Sequence, residues 1–344
     1  MAKKPHILLI YSGGTIGMVK DFKTGALKVF NFDKLLTQVP ELNHLNCTID
    51  SVSFEDPLDS SNMNPSEWVR LVEIIEDNYE SFDGFVVLHG SDTMSYTASA
   101  ISFMLENLSK PIIFTGSQLP IGDLRTDAKE NLITSIEVAS AQEHGVPLIS
   151  EVCLYFEYKL YRANRTTKVN AEHFQAFSSF NYPPLAESGV HLKFFKSAIC
   201  NANRTKNLTI RKQLDTNVVI LKIFPGITQN VVQSILQIEG LKGVVLETFG
   251  SGNAPSKPWF LKLIEKSIAS GVQIINVTQC AGGSVMMGHY ETSVLLEKMG
   301  VISGKDITTE SALAKLMYLL GENIPKSEFK SFFETSLRGE MSDY

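Results

Sequence analysis

Short runs of apolar residues recur in the first half of the chain, and each run ends in small or polar residues. Four such runs cover residues 7–11, 85–88, 111–114 and 152–156. Continuous stretches of Val, Ile, Leu and Phe of this length are typical of parallel strands that are buried on both faces. The pattern therefore predicts that these four segments are interior strands of a parallel sheet.

Helical patterns lie between these runs. The clearest covers residues 65–80, where Asn64 is a favourable N-cap residue and Glu67 follows three positions after it. The apolar positions of this segment fall on one face of a helix: Trp68, Leu71, Val72, Ile75 and Tyr79. Residues 93–107 and 127–142 are predicted to be helical as well.

A second group of apolar runs lies in the last third of the chain, at residues 218–224, 244–247 and 272–277. Helical patterns near residues 229–238, 257–269 and 309–320 alternate with these runs. Alternating strands and helices are typical of a doubly wound α/β sheet. The predicted fold class is therefore two doubly wound α/β domains, a larger N-terminal and a smaller C-terminal one, Rossmann-like but without a nucleotide.

The stretch 183–216 separates the two groups, since it opens with two prolines and its periodicity is weak. We place the N-terminal domain at residues 1–190, a linker at 191–215 and the C-terminal domain at 216–344. In open α/β sheets, ligands bind beyond the carboxyl ends of the strands. Polar residues that directly follow the predicted strands are therefore the first candidates for a functional site.

Charge and cysteine usage narrow the classes of function. The 344 residues include 31 Lys and Arg against 37 Asp and Glu, which gives a formal net charge of −6 and no basic stripe for nucleic acid. Four scattered cysteines without a C-x-x-C pair indicate reduced thiols. No apolar run is long enough for a membrane span or a signal peptide. We expect a soluble cytoplasmic protein.

Several common catalytic motifs are absent from the sequence. It contains no Walker A loop, no G-x-S-x-G elbow, no H-E-x-x-H and no G-x-G-x-x-G, and its seven histidines do not cluster. Chemistry based on a Ser-His-Asp triad, on zinc or on nucleotides therefore has little support. No metal and no cofactor is predicted.

The remaining candidates for catalytic groups are hydroxyl side chains at the ends of predicted strands. Thr15 follows the first strand and two glycines, whose backbone N–H groups can stabilise developing negative charge. The alternative is an ordinary turn in which Thr15 caps a helix. Asp59, Ser60 and Ser61 form another polar cluster, which is equally compatible with a simple loop.

A hydroxyl and a carboxylate, Ser91 and Asp92, occupy the equivalent place after the second strand of the first group. They are catalytic candidates or, alternatively, an N-cap. Arg162, Arg165 and Lys168 recur every three residues, which is usually the sign of a solvated cationic face. A desolvated lysine can instead act as a base, because burial lowers its pKa.

Taken together, these segments resemble the bacterial-type L-asparaginases, and specifically the cytoplasmic type I branch. The matches run in family order across nearly the whole chain. They are residues 11–18, 58–63, 89–99, 115–118, 160–168, 250–255 and 278–280.

The resemblance implies catalytic roles for four residues. Thr15 matches the threonine that attacks the side-chain amide of the substrate and forms an acyl-enzyme. Ser91, Asp92 and Lys168 match a second catalytic set, in which the family has a threonine, an aspartate and a lysine. A neutral hydroxyl is a weak nucleophile and needs an adjacent base, so such a set is chemically reasonable.

The resemblance also implies the substrate-binding residues. Ser60 and Ser61 match positions that hold the α-carboxylate, with Asp59 beside them, and Asp92 binds the α-ammonium next to Ser91. Two fixed anchors would orient the substrate and so reduce the entropic part of the barrier.

Two positions depart from the family pattern. Ser91 stands where the family usually has threonine, which keeps the hydroxyl. The loop at residues 20–28 contains no tyrosine, although the family usually carries one that contacts the nucleophile, and Ala26 lies near its expected place. The residue that assists Thr15 is therefore not identified by the sequence.

The implied reaction is hydrolysis of L-asparagine to L-aspartate and ammonia. Three alternatives stay open: an L-glutaminase, the glutamine-hydrolysing subunit of a tRNA-dependent amidotransferase, and a non-catalytic amino-acid sensor. Selectivity between asparagine and glutamine is not fixed by sequence, because one methylene in a pocket is worth only about 1–3 kcal/mol. The amidotransferase alternative predicts an N-terminal extension and a tRNA-binding partner.

The resemblance implies a homodimer or homotetramer. Some type I members also bind an effector amino acid at a second site, part of which matches Thr278 and Cys280. An arginine of that site is replaced by Glu247, which would repel an α-carboxylate. We therefore expect weak or absent cooperativity, with Cys280 as a buried free thiol.

Overall fold

The computed structural model describes residues 4–20, 27–29, 39–200, 204–288 and 291–343. The chain divides into two compact units, Met1–Lys212 and Gln213–Tyr344. Each unit has its own sheet and its own helices, so the predicted fold class of two α/β domains, the larger one first, is confirmed. The division between the units falls inside the segment 191–215.

In the first unit, the described residues form a mixed sheet of eight strands. The strands are β1 (His6–Gly13), β2 (Thr48–Leu58), β3 (Gly84–Leu88), β4 (Ile112–Thr115), β5 (Val152–Phe156), β6 (Lys159–Arg162), β7 (Ala186–Glu187) and β8 (Lys193–Phe194). Their order across the sheet is β8-β7-β6-β5-β4-β3-β1-β2. Strands β1 to β5 pair in parallel, whereas β6, β7 and β8 are added by antiparallel pairing.

Strand burial explains which of these strands the sequence reveals. Every residue of β3 and β5 is buried, and these strands are the uninterrupted apolar runs of the sequence. Strand β2 lies at the edge of the sheet, and most of its residues are exposed or half-buried. Its polar residues keep a continuous apolar run from forming, so the pattern of a buried strand does not detect it.

The first unit has three α-helices among its described residues: α1 (Pro65–Asn78), α2 (Met94–Met104) and α3 (Ala128–Ser140). The three helices predicted here are confirmed, with ends that differ by a few residues. Asn64 caps α1, because its Oδ1 accepts a hydrogen bond from Ser66 N at 3.0 Å. Trp68 Nε1 donates to Thr97 Oγ1 at 3.0 Å and so connects α1 to α2.

The described residues of the first unit also form short antiparallel strand pairs. They are Met18–Lys20 with Leu27–Val29, Leu105–Glu106 with Thr209–Ile210, Gln142–Glu143 with Val146–Pro147, and Thr167–Lys168 with Phe177–Ser178. The last pair forms a hairpin over residues 167–178, which we call the Lys168 hairpin. It carries one of the predicted site residues in its first strand.

The second unit contains a parallel sheet in the order β9-β10-β11-β12 among its described residues. The strands are β9 (Val218–Lys222), β10 (Gly243–Thr248), β11 (Gln273–Thr278) and β12 (Ile302–Ser303). The helices are α4 (Gln229–Leu236), α5 (Pro258–Ala269), α6 (Glu291–Met299), α7 (Thr309–Gly321) and α8 (Lys326–Glu334). Throughout the part of the chain described, no helix is both long and apolar enough to cross a bilayer.

The strand order of the first unit determines where a ligand can bind. Within the sheet, β2 lies next to β1 on one side, and β3, the following strand of this sheet, lies next to β1 on the other side. Such a reversal opens a crevice at the carboxyl ends of the two central strands, β1 and β3. The residues that follow β1 and β3 are those around Thr15 and Ser91.

Candidate active site

Thr15 lies in a tight turn at the carboxyl end of β1. It is the first residue of a short 3-10 helix, Thr15–Gly17, whose N-cap is Gly14, so the alternative of Thr15 as a cap is wrong. Gly14 has a φ of 89°, a left-handed conformation that glycine adopts without steric cost. Gly14 N donates to Leu58 O at 3.1 Å, and Tyr11 Oη donates to Gly14 O at 3.2 Å.

Close glycine contacts join three strand-end loops around this turn. A Cβ atom on Gly14 would lie 2.4 Å from Gly90 N, and one on Gly90 would lie 2.5 Å from Ser60 Oγ. Such distances are shorter than any van der Waals contact, so the loop after β1 meets the backbone of the loop after β3, and that loop meets the Ser60 side chain in the turn after β2. Thr15, Ser60 and Ser91 are thereby brought to one crevice.

Lys168 meets Ser91 and Asp92 at this crevice. Its Nζ donates to Ser91 Oγ at 2.8 Å and to Asp92 Oδ1 at 2.6 Å. The Lys168 side chain is 15% exposed and that of Asp92 is 66% exposed, so the pair lies at the border between protein and solvent. The N-cap of α2 is Thr93 and not Ser91 or Asp92, which removes the capping alternative for these two residues.

Helix α2 holds the segment that leads to Lys168. Ser95 and Thr166 share a hydrogen bond between their hydroxyls at 3.1 Å, and Asn164 Nδ2 donates to Ser102 Oγ at 3.2 Å. Both contacts are buried. Because α2 begins at Met94, two residues after Asp92, one helix fixes both sides of the contact between Lys168 and the Ser91 loop.

Arg162 and Arg165, which share the three-residue spacing with Lys168, form buried contacts of their own. Arg162 is 4% exposed and its Nε donates to Glu151 Oε2 at 2.6 Å. Arg165 is buried as well, and both guanidinium groups lie over the ring of Tyr182, at 4.3 and 5.2 Å from its centroid. The interpretation of this spacing as a solvated cationic face is therefore wrong.

The segment Asp59 to Ser61 forms a short turn after β2. Asp59 Oδ1 accepts hydrogen bonds from Ser61 N at 2.8 Å and from Ser61 Oγ at 2.7 Å, and both lower the pKa of the Asp59 carboxyl. Asp59 and Ser61 are exposed, whereas Ser60 is buried. Thr93 Oγ1 donates to Ser60 O at 2.8 Å and so connects this turn to the start of α2.

Gln118 is a site residue to which the sequence assigns no role. Ser91 Oγ donates to Gln118 Oε1 at 3.4 Å. The sequence could have indicated Gln118, because its segment lies at the end of a buried strand, as the other candidate segments do. Asp127 holds the backbone there: its carboxylate accepts from Gln118 N at 2.9 Å and from Leu119 N at 3.1 Å.

Several acidic side chains lie near the loop that carries Gln118. Glu157 N donates to Asn131 Oδ1 at 3.0 Å, and Asn131 Nδ2 donates to Gly116 O at 3.0 Å. Burial, followed by the negative charges of Asp127 and Glu130, raises the pKa of Glu157 to about 7. Burial also raises the pKa of Asp127. Asp127 therefore contacts the loop that carries Gln118 directly, and Glu157 is connected to it through Asn131.

His89 is fully buried next to Gly90. Burial lowers its pKa to about 4, so the imidazole is neutral. Its Nδ1 lies 2.7 Å from Gly90 O, and the carbonyl can only accept, so Nδ1 carries the proton. His89 supports the loop from inside the protein.

The residues of the expected effector site lie in the second unit. Glu247 is 12% exposed, lies 3.2 Å from Lys222 Nζ and accepts from Thr309 Oγ1 at 2.7 Å. Thr278 Oγ1 accepts from Cys280 N at 3.0 Å. Cys280 itself is exposed, so the prediction of a buried thiol is wrong, because the chain leaves the sheet at Thr278.

Two further expectations concern groups around the crevice. Ala26, at the place of the loop tyrosine, lies outside the described residues. Among the residues that are described, no group of three or more His, Cys, Asp or Glu side chains is placed to hold a metal ion.

Two family models match the chain. "Asparaginase, N-terminal" matches residues 6–200, and "Glutaminase/Asparaginase C-terminal domain" matches residues 217–333. L-asparaginase 1 of Escherichia coli (strain K12) is 39% identical over 342 residues, which cover 99% of each chain. A 60 kDa lysophospholipase of Mus musculus is 38% identical over 99% of this chain. The match covers 63% of the length of that relative.

A solved structure agrees with these matches. L-asparaginase I from Vibrio cholerae superimposes with a TM-score of 0.90 at 39% identity, over 99% of this chain and 100% of that one. Similarity of this extent covers both units and all the strand-end segments described above. The chain therefore belongs to the L-asparaginase family of hydrolases.

Proposed function

We propose that the protein hydrolyses the side-chain amide of L-asparagine to L-aspartate and ammonia, with Thr15 as the nucleophile. The observation that carries this proposal is the contact of Lys168 with Ser91 and Asp92 beside the glycine turn of Thr15. A nucleophile, a hydroxyl–amine pair and backbone N–H donors are thereby gathered at one crevice. The alternative of a non-catalytic sensor offers no reason for this pairing.

The reaction proceeds in two steps. In the first, Thr15 Oγ1 bonds to the amide carbon, the C–N bond breaks and the nitrogen leaves as ammonia with the proton of the hydroxyl. In the second, water attacks the resulting ester, releases aspartate and returns the proton to Thr15. Ser91 and Lys168 serve as the proton-transfer pair, and positioned acids and bases contribute about 10²- to 10⁴-fold in rate.

Backbone N–H groups of the glycine turns stabilise the oxyanion of each step, except that of Gly14, which donates to Leu58 O. A preorganised donor of this kind contributes about 3–4 kcal/mol to transition-state stabilisation. A Cβ atom on Gly14 would meet Gly90 N and one on Gly90 would meet Ser60 Oγ, so glycine at both positions lets the three loops pack closely around the crevice. The requirement for glycine at these positions is therefore steric.

The charged α-groups of the substrate are held at opposite sides of the crevice. The turn at Ser60 and Ser61 takes the α-carboxylate, and Asp92 takes the α-ammonium. Asp92 Oδ1 faces Lys168, and this exposed carboxylate has a second oxygen for the substrate. Asp59 orients Ser61 by accepting from both its backbone N–H and its hydroxyl.

We also propose that the protein is a homodimer or homotetramer that works in the cytoplasm. The family resemblance supports the assembly, and four free cysteines are consistent with a reducing compartment. Sedimentation of the active protein tests the assembly, and a fully active monomer would contradict it.

Ammonia release, measured separately with L-asparagine and L-glutamine, tests the proposed reaction. We expect turnover of asparagine by the wild type and none by Thr15→Ala, with the same thermal unfolding midpoint, because the small hydroxyl is half-buried at a loop. A Thr15→Ala variant that retains more than about 1% of wild-type kcat would refute Thr15 as nucleophile, since loss of a nucleophile costs several orders of magnitude. Preference for glutamine would redirect the proposal to an L-glutaminase.

A further inference from the structure

We propose that Gln118 is a positioning residue that holds the Ser91 hydroxyl and the Lys168 hairpin in one arrangement. This inference rests on the proposed function, because it assigns a task in the same reaction. Gln118 lies on the loop after β4, between the Ser91 loop and residues 171–173 of the hairpin. It contacts both sides through one side-chain amide.

The orientation of that amide follows from its partners. Gln118 Nε2 lies 3.3 Å from Ala171 O and 3.0 Å from His173 O. Carbonyl oxygens only accept hydrogen bonds, so the NH₂ group must face the hairpin. The amide oxygen Oε1 is then left to face Ser91.

This orientation determines how the Ser91 hydroxyl is used. A hydroxyl has one proton and two lone pairs, and the ammonium group of Lys168 can only donate. Ser91 Oγ therefore accepts from Lys168 Nζ at 2.8 Å and directs its own proton to Gln118 Oε1 at 3.4 Å. The second lone pair of Ser91 stays available to the reacting groups in the crevice.

The backbone of Gln118 is rigid enough to act as a fixed point. Asp127 is buried, and its two oxygens accept from Gln118 N and Leu119 N at 2.9 and 3.1 Å. Asn131 Nδ2 donates to Gly116 O at 3.0 Å, two residues earlier. The hairpin has exposed residues at positions 170–173. Its tip is closed by hydrogen bonds from Glu172 N and His173 N to Asn170 Oδ1, and the two hydrogen bonds from Gln118 connect it to the loop after β4.

Two substitutions separate the two tasks. Gln118→Leu removes both the acceptor for Ser91 and the donors to the hairpin. Gln118→Glu keeps an acceptor for Ser91 but faces Ala171 O and His173 O with a carboxylate, which cannot donate to them. Gln175→Leu is the matched control, because Gln175 is an exposed glutamine of the same hairpin.

The readouts are kcat and KM for asparagine, and hydrogen–deuterium exchange of the amides at residues 169–176 in the full chain. We expect Gln118→Leu to lower kcat about 10- to 100-fold, as for a displaced catalytic group, with KM changed less than about threefold. Exchange of the hairpin amides should be faster than in Gln175→Leu. Gln118→Glu should exchange as fast as Gln118→Leu but retain a higher kcat.

Each outcome decides the proposal. Hairpin exchange in Gln118→Leu that equals the control would overturn it, and so would faster exchange with unchanged kcat. A rise in KM with unchanged kcat would assign Gln118 to substrate binding instead. An inactive wild type would refute the proposed function, whereas the exchange measurement would still show whether Gln118 holds the hairpin.

Discussion

Lys168 Nζ lies 2.8 Å from Ser91 Oγ, although 77 positions of sequence separate the two residues. Ser91 is delivered by the end of β3, and Lys168 by a hairpin that follows a segment packed against α2. The contact therefore depends on how the sheet, α2 and the Lys168 hairpin are arranged in the first unit. It is the most direct target for substitution.

Lys168→Met should remove activity while leaving the protein folded. Methionine has a similar length but cannot exchange a proton, so we expect kcat to fall about 10²- to 10⁴-fold, the usual contribution of a positioned acid or base. Lys159→Met, at an exposed position of β6, is the control and should keep wild-type kcat. Activity of Lys168→Met within about tenfold of the wild type would exclude this role.

Gly90→Ala should disturb both activity and stability. The new Cβ would lie 2.5 Å from Ser60 Oγ, so the loops after β2 and β3 must move apart. We expect the free energy of unfolding to fall by about 1–3 kcal/mol, as for other overpacked sites, together with a loss of kcat. Chemical denaturation and ammonia release measure the two effects.

Gly189→Ala is the matched control for this substitution. Gly189 is exposed, and the nearest atom to its added Cβ is His191 O at 4.0 Å. Stability and activity of this variant should equal those of the wild type. Equal behaviour of Gly90→Ala and Gly189→Ala would show that the loop contact at Gly90 tolerates displacement.

Glu157→Gln should make stability less dependent on pH. The pKa of Glu157 is raised from 4.5 to about 7 in the folded protein, so the folded state binds a proton that the unfolded chain releases in this range. The contribution of Glu157 to the free energy of unfolding is full below pH 4.5 and is lost as the pH rises through 7. The neutral amide avoids this loss.

We therefore expect Glu157→Gln to be more stable than the wild type at pH 8 and similar to it at pH 4, by urea denaturation at each pH. The control is Glu187→Gln, at an exposed position of β7. If the stability difference between Glu157→Gln and the wild type is the same at both pH values, Glu157 does not titrate in the folded state as described.

Cooperativity toward asparagine should be weak or absent. An effector carboxylate would meet Glu247, and the nearby cation Lys222 is already engaged with that acid at 3.2 Å. Initial rates should follow a hyperbola in asparagine concentration. Sigmoidal rates that become hyperbolic in Lys222→Met would show instead that Lys222 recruits an effector despite Glu247.

The apolar pattern predicted strands β1, β3, β4 and β5 of the first sheet and β9, β10 and β11 of the second, and it missed β2, β6, β7, β8 and β12. Strands β3 and β5 are buried on both faces, so their sequences are continuous apolar runs that differ from any loop. Strand β2 and the two-residue strands β7 and β8 are partly exposed or very short, and their pairing depends on neighbours far away in sequence. Local periodicity carries no information about such neighbours.

The same limit applies to the site. Ser91 and Asp92 could be singled out because they follow a buried strand, whereas Lys168 could not be placed without knowing that its segment packs on α2. Arg162 and Arg165 share the spacing of Lys168 but are buried beside Tyr182. Spacing alone therefore did not distinguish a site lysine from structural arginines.

The contacts of Gly14 with Gly90, and of Gly90 with Ser60, have a consequence for engineering substrate selectivity. Gly14 packs on the backbone of Gly90, and Gly90 packs on the side chain of Ser60, so these contacts set the span between the nucleophile and the carboxylate-binding turn. A library aimed at longer amides should therefore keep both glycines fixed. Ser61 should be kept as well, because it belongs to the turn that takes the α-carboxylate, and variation belongs at its exposed neighbour Asn62.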